Sequence, residues 1–373
     1  MNIYFDNAAT TPIENEVIEV MLSVMKDKYG NPSSIHRFGR ETKVLIEDAR
    51  KKIATILNAS PSEIFFTSGG TESNNTVIYG AINDLGIKNI ITSPIEHHAI
   101  THTLDMFEKI GLVKVHFAKI NEKGQIDLLN LEELIKSNPN SLVTLMHANN
   151  EIGNLLPIND VSRLCSKYKV LFHSDMVQTI GKFDINLNNI EVDFVSSSAH
   201  KYHGPKGIGF LYINGKNKIK PLIYGGGQER NMRAGTENIY GIAGMAKALE
   251  IATTNMVDIQ THIKKLKLYA VSQLKANIKH IQFNGESENN GLYTIINFSV
   301  PKTNNSEMLL YNLDIEGVAI SSGSACSSGS NSASHVLKAI NISNEFTSLR
   351  ISFCKYSTFD EIDVFINLLK RLL

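Results

Sequence analysis

The sequence predicts an α/β fold: a mostly parallel sheet with helices on both faces, followed by a smaller α+β domain. Two patterns predict it. Up to about residue 238, short apolar runs alternate with segments of helical period, as βα units do. Beyond that point, long amphipathic segments replace the alternation and a second group of strands follows.

In chain order, Glu63–Thr67 reads as a strand, then a Gly-rich turn and a helix from about Thr71. Residues 89–92, 113–117, 142–146 and 170–173 are further apolar runs, most of them separated by helical patterns. Residues 193–199 form an extended, almost uncharged run that leads into His200 and Lys201. Helical segments are expected at 238–255 and 257–279, strands at Tyr293–Val300 and Ser348–Cys354, and an amphipathic helix up to Leu373.

Composition narrows the class. The chain has 373 residues, enough for two domains, and its 37 Lys+Arg balance 37 Asp+Glu. Zero net charge gives no electrostatic reason for a nucleic acid or membrane partner. The first residues lack the basic and apolar regions of a secretory signal, and no apolar run reaches membrane-spanning length. Cys165, Cys326 and Cys354 are too far apart for a CxxC pair and form no disulfide framework, so a reduced, cytoplasmic location is expected.

In a parallel sheet, ligands gather at the carboxyl ends of strands. "FFTSGGTESNN" (65–75) puts glycines between a strand and a helix N-terminus, which suits a phosphate cradle or a plain helix cap at Thr71. "HSDMVQTIG" (173–181) places Asp175 to pair with a protonated ring nitrogen and Gln178 to bond a ligand oxygen; a loop Asp serving backbone donors also fits. His173 and Asp175 lack third and fourth partners at metal-ligand spacing, so no metal is expected. In "SSSAHK" (196–201), Lys201 suits a Schiff base with an aldehyde, or a lysine whose head reaches water. In "SSGSACSSGS" (321–330), Cys326 has only Gly, Ser and Ala around it, the setting of an exposed, reactive thiol. Together these motifs describe a pyridoxal 5'-phosphate enzyme with a nucleophilic cysteine.

The chain resembles the cysteine desulfurases of the NifS/IscS type, in the class V aminotransferase group of fold type I pyridoxal phosphate enzymes. The likeness rests on "YFDNAATTP" (4–12), "YGNPSSIHRFGR" (29–40), "IEHHAI" (95–100), "MHANNEIG" (146–153), "DMVQ" (175–178), "SSSAHKYHGPKGIGFLY" (196–212), "GGGQERNMRAGTEN" (225–238) and the "SSGSAC" loop of the family's first group. It implies an aspartate-aminotransferase-like fold, with a large domain at 14–250 and a small domain from 1–13 and 251–373. The small domain would carry a mobile cysteine loop at about 321–333.

The resemblance also implies roles. Lys201 would hold the cofactor; Gly70, Thr71, Ser198 and His200 would bind its phosphate, with Thr236 reaching it from a partner subunit in a homodimer with shared sites. Asp175 would pair with the ring nitrogen, and Asn150 and Gln178 would contact the ring hydroxyl. His97 would stack on the ring and shuttle protons, with His98 behind it. Arg350 would clamp the carboxylate of L-cysteine, near Asn150. Cys326 would take the sulfur as a persulfide, releasing alanine, and pass it to a cluster scaffold or a tRNA-thiolation enzyme. Selenocysteine lyase, or another class V activity, is the alternative. Ala199 and Met176 stand where the family often has glycine and alanine. The chain stops at Leu373 without the longer tail of scaffold-serving relatives, so neither acceptor is favoured. Cys354 is read as incidental.

Overall fold

The computed structural model describes residues 2–303, 306–322 and 334–373; Cys326 lies outside them. The chain opens with β1 (Ile3–Tyr4), α1 (Asn15–Asp27) and α2 (Arg37–Leu57). Alternation follows: β2 (Ile64–Thr67), α3 (Gly70–Asn83), β3 (Asn89–Thr92), α4 (His98–Lys109), β4 (Lys114–Phe117), α5 (Leu128–Ser137), β5 (Ser141–Thr144), α6 (Ile158–Tyr168), β6 (Leu171–Asp175), β7 (Phe194–Ser198) and β8 (Gly209–Ile213). The helices α7 (Ile239–Thr254) and α8 (Met256–Asn277) lead to β9 (Gln282–Phe283), β10 (Ile295–Pro301), α9 (Leu309–Ile315) and β11 (Val318–Ala319). After them come α10 (His335–Ala339), β12 (Phe346–Ser352) and α11 (Phe359–Leu372).

The main sheet has the order β2-β8-β7-β6-β5-β3-β4. Within it β8 alone runs against its neighbours. Strands β5, β7 and β8 are buried along their whole length, as both-face coverage by helices requires. The sequence reading missed β8: its apolar run follows a Gly/Pro turn and is too short to stand out. The run expected at 142–146 stops as a strand at Thr144, where the chain turns toward the site.

A second core closes around the antiparallel sheet β12-β10-β9 and the parallel pair β1-β11, under α8 and α11. The N-terminal segment belongs to it. Phe5 N–H donates to Ala319 O at 2.9 Å, and Ser352 N–H to Phe5 O at 2.7 Å. The Phe5 ring meets Phe353 and Phe365 edge-on at 5.0 and 6.0 Å, contacts worth about 0.5–1.5 kcal/mol each beyond their burial. A few residues later the same segment reaches the main sheet, where Thr11 N–H donates to His200 O at 3.0 Å. Among the described residues, no helix is long and apolar enough to cross a membrane.

Candidate active site

A cavity of about 560 Å³ opens where the carboxyl ends of the main sheet meet β12. Gly70, Thr71, His97, Asn150, Asp175, Gln178, Ser198, His200, Lys201 and Arg350 all line it. Thr236 is exposed and outside this lining, and Cys326 is outside the described residues.

The β2–α3 turn forms one end. Gly69, with φ of 149°, caps α3 with no side-chain hydrogen bond, so the first-turn amides are left to a ligand. Thr71 lies within that first turn; it is not the cap. Side-chain packing explains Gly70: a Cβ there would stand 2.6 Å from Val177 Cγ2. Ser198 lies across the turn, its Oγ 3.3 Å from where a Gly69 Cβ would be.

Asp175 ends β6, 7% exposed. Its Oδ2 accepts from Asn74 Nδ2 at 2.7 Å and its Oδ1 from Val177 N–H at 3.0 Å, which fixes the carboxylate plane. Asn74, one helical turn beyond Gly70, was missed by the sequence reading; its place in "SNN" gave the only signal.

His97 caps α4. Its Nδ1 accepts the Ala99 N–H at 3.1 Å, so the neutral ring carries its proton on Nε2. Burial lowers its pKa, and the Lys201 cation adds to this, while Asp175 opposes it. His200 is pushed down to about 3 by burial and then by Lys201; its Nδ1 meets Thr10 Oγ1 at 3.1 Å. Both ring nitrogens of His173 are engaged, with Thr144 Oγ1 and Ser196 Oγ.

Lys201 sits in a single 3-10 turn just past β7. Its amine donates to Ala8 O at 2.6 Å and Ala9 O at 2.7 Å, while Gln178 Nε2 donates to the same Ala8 oxygen at 2.9 Å. The N-terminal strap thus supplies the backbone oxygens that hold the lysine. Arg350, 1% exposed, donates from Nη1 to Asn150 O at 2.8 Å and from Nη2 to Asp6 at 2.7 Å. Its Nε is buried with no partner.

Two buried carboxyls went unpredicted. Glu96, 2% exposed, accepts from Ser93 Oγ and Met146 N–H, and burial lifts its pKa to about 8. Glu151 accepts from Ser334 Oγ; burial lifts it to about 7 against the pull of Arg350. Nothing local in the sequence marks either one, since burial comes from distant segments.

Residues 3–365 match the class V aminotransferase family. The chain is 44% identical over 375 residues to "Cysteine desulfurase IscS" of Dictyoglomus turgidum, covering 100% of this chain and 94% of that one. It belongs to the cysteine desulfurase family. A solved "NifS-like protein" superimposes with a TM-score of 0.92 at 38% identity, covering 100% of this chain and 99% of that one. A structure titled "SspA in complex with cysteine" gives a TM-score of 0.81 at 35% identity, over 95% of this chain and 100% of that one. The solved relatives share the fold described above.

Proposed function

We propose how this chain performs the cysteine desulfurase reaction of its family. One observation carries the reading: an amine, a fixed carboxylate and an uncapped helix N-terminus line a single cavity, as Lys201, Asp175 and α3. These residues fit pyridoxal 5'-phosphate. The α3 amides, with Gly70, Thr71, Ser198 and His200, suit its phosphate, and the Gly70 backbone leaves no room for a side chain there. The Asp175 carboxylate suits a protonated ring nitrogen, Asn150 and Gln178 the ring hydroxyl, and Lys201 the aldehyde. When bound, the cofactor supplies an electron sink that makes the substrate's α-hydrogen acidic.

The rest falls to the protein. Arg350 holds the carboxylate of L-cysteine, with Asn150 beside it. Its two terminal nitrogens are already oriented by Asp6 and the Asn150 carbonyl, so little side-chain freedom is lost on binding. His97 moves protons at Nε2, since Nδ1 is occupied by the Ala99 amide. Cys326, as thiolate, attacks the substrate sulfur; the carbon–sulfur bond breaks, alanine leaves, and the persulfide stays on the protein. A solved relative was captured with cysteine, which supports the substrate.

The active form in this reading is a cytoplasmic homodimer, with large units of residues 14–250 and small units of 1–13 and 251–373. Thr236, exposed on its own chain, reaches the phosphate of the second copy. The persulfide is passed to a cluster scaffold or a tRNA-thiolation enzyme.

Sulfide and alanine release from L-cysteine, measured with a thiol reductant for wild type and Cys326→Ala, tests this. Equal yields from wild type and loss in a variant that keeps its cofactor colour support it. An equally active variant overturns the role of Cys326.

A further inference from the structure

A second, smaller cavity of about 50 Å³ lies behind Lys201, on the side away from the main pocket. Ala8, Gln178 and Lys201 line both cavities, so they form the partition. The far wall is apolar, made by Ala248, Ile251 and Ala252 of α7 and Ile259 and Ile263 of α8. The near wall is not. Asn7 Oδ1 and Glu14 Oε1 are buried there without a hydrogen-bond partner; His203 Nδ1 lies 3.5 Å from Glu14 Oε1, and burial lowers the pKa of that ring. Buried acceptors of this kind ordinarily hold water, and the volume has room for about three molecules.

The Lys182 amine enters the same space. It donates to Gln178 O at 3.0 Å and Gln178 Oε1 at 3.4 Å, and Gln178 shares the Ala8 oxygen with Lys201. Two lysines are therefore joined through one glutamine and one carbonyl, on the rim of one small chamber. Burial, and then the Lys201 charge, brings the Lys182 amine down to about 7. The other titratable groups facing the chamber are Glu14 and His203, Tyr202 beside Lys201, Tyr293 ahead of β10, and Cys354 and Lys355 past β12. Lys355 and Tyr356 both bond Glu14 Oε2, which ties up that oxygen and leaves Oε1 to the chamber. Burial raises the Cys354 thiol, so it adds no charge.

We propose that this cavity is a water-filled proton chamber for Lys201, with the Lys182 amine as its proton acceptor. The step balances: the Lys201 ammonium loses a proton, the Lys182 amine gains it through chamber water, and the pair keeps one positive charge. Lys182 touches neither substrate nor cofactor, so it is a positioning residue for the Lys201 proton. The inference rests on Lys201 being the reacting amine.

Two measurements on the holoenzyme test it. A high-resolution crystal structure should show ordered water between Asn7 Oδ1, Glu14 Oε1 and Lys182 Nζ; a dry chamber overturns the proposal. A pH titration of the cofactor absorbance that reports the Lys201 linkage should shift its midpoint in opposite directions in two near-isosteric variants. Lys182→Met should raise it by roughly half a unit or more, because a neighbouring amine is lost, and Glu14→Gln should lower it, because an anion is lost. Shifts of the same sign, or none, overturn the relay, since loosened packing has no reason to follow charge. If Lys182→Met does not fold, the water structure and Glu14→Gln decide. Absence of any cofactor band in wild type would instead sink the assignment of Lys201 itself.

Discussion

Asp6 and Arg350, 344 residues apart, form a 2.7 Å ion pair, and the same Asp6 oxygen accepts from Ser321 Oγ at 2.7 Å. The carboxylate that holds the Arg350 guanidinium also fastens the chain at Ser321, just past β11.

Asp6→Asn keeps the shape and removes the charge. Hydrogen bonds to charged groups contribute about 1.5–3 kcal/mol, so unfolding in denaturant should come earlier by that amount. With Arg350 less firmly aimed, KM for L-cysteine should rise more than kcat falls. A loss confined to kcat would place Asp6 in the chemistry instead.

Arg50 and Glu229 form a second buried pair, 2% and 5% exposed, through two 2.8 Å bonds. Arg50 also donates to Ile64 O, and Glu229 accepts the Phe66 N–H, so the pair clamps α2, β2 and the turn at Glu229 together. Glu229→Gln leaves the buried guanidinium only the half-buried Glu47, 3.1 Å from its Nε, as a counter-charge and should cost about 3 kcal/mol, the low end for a broken buried pair. Joint replacement by apolar residues, Arg50→Met with Glu229→Leu, should recover much of that in chemical denaturation. Equal damage from the single and double changes would mean that the cation is not the problem.

Gly70→Ala should weaken pyridoxal phosphate retention at least tenfold in equilibrium dialysis, because its Cβ meets Val177 Cγ2 at 2.6 Å. Adding Val177→Ala should restore most of the binding. If it does not, the obstruction lies with the ligand and not with Val177.

Glu96 should show in the pH dependence of stability. Its folded pKa is about 8, above the 4.5 of a free side chain, so between those values the native state keeps a proton that the unfolded chain gives up. Its contribution therefore falls as pH rises through that window, by about 1.4 kcal/mol per pH unit. Glu96→Gln can donate to Ser93 and accept from Met146 without ionising. The variant's advantage over wild type should grow from pH 5 to pH 8 and then level off; a difference that is flat with pH would put the ionised form in the native state.

What could be read beforehand follows a physical division. The parallel sheet was legible because buried strands and amphipathic helices write their period into neighbouring residues. The pocket was legible because Gly70, Asp175 and Lys201 each sit beside a strand end, where ligands gather. Asp6, Asn74, Glu96 and Glu151 were not legible. Each acts by bonding a residue far along the chain or by burial under another segment, and of the four only Asn74, in "SNN", left a local trace. Thr71 as helix cap failed because the helix begins at Gly70, after Gly69 at a φ of 149° that suits glycine.

The short strap from Ile3 to Thr11 has a consequence for biosynthesis. Ala8 and Ala9, which hold Lys201, are made before it, while the strands that fix them, at residues 318–319 and 346–352, are made after it. Lys201 is therefore made before its seat is complete. The two carbonyls that hold the Lys201 amine are fixed only once residues 318–319 and 346–352 have been made, a long-range closure that comes late in folding.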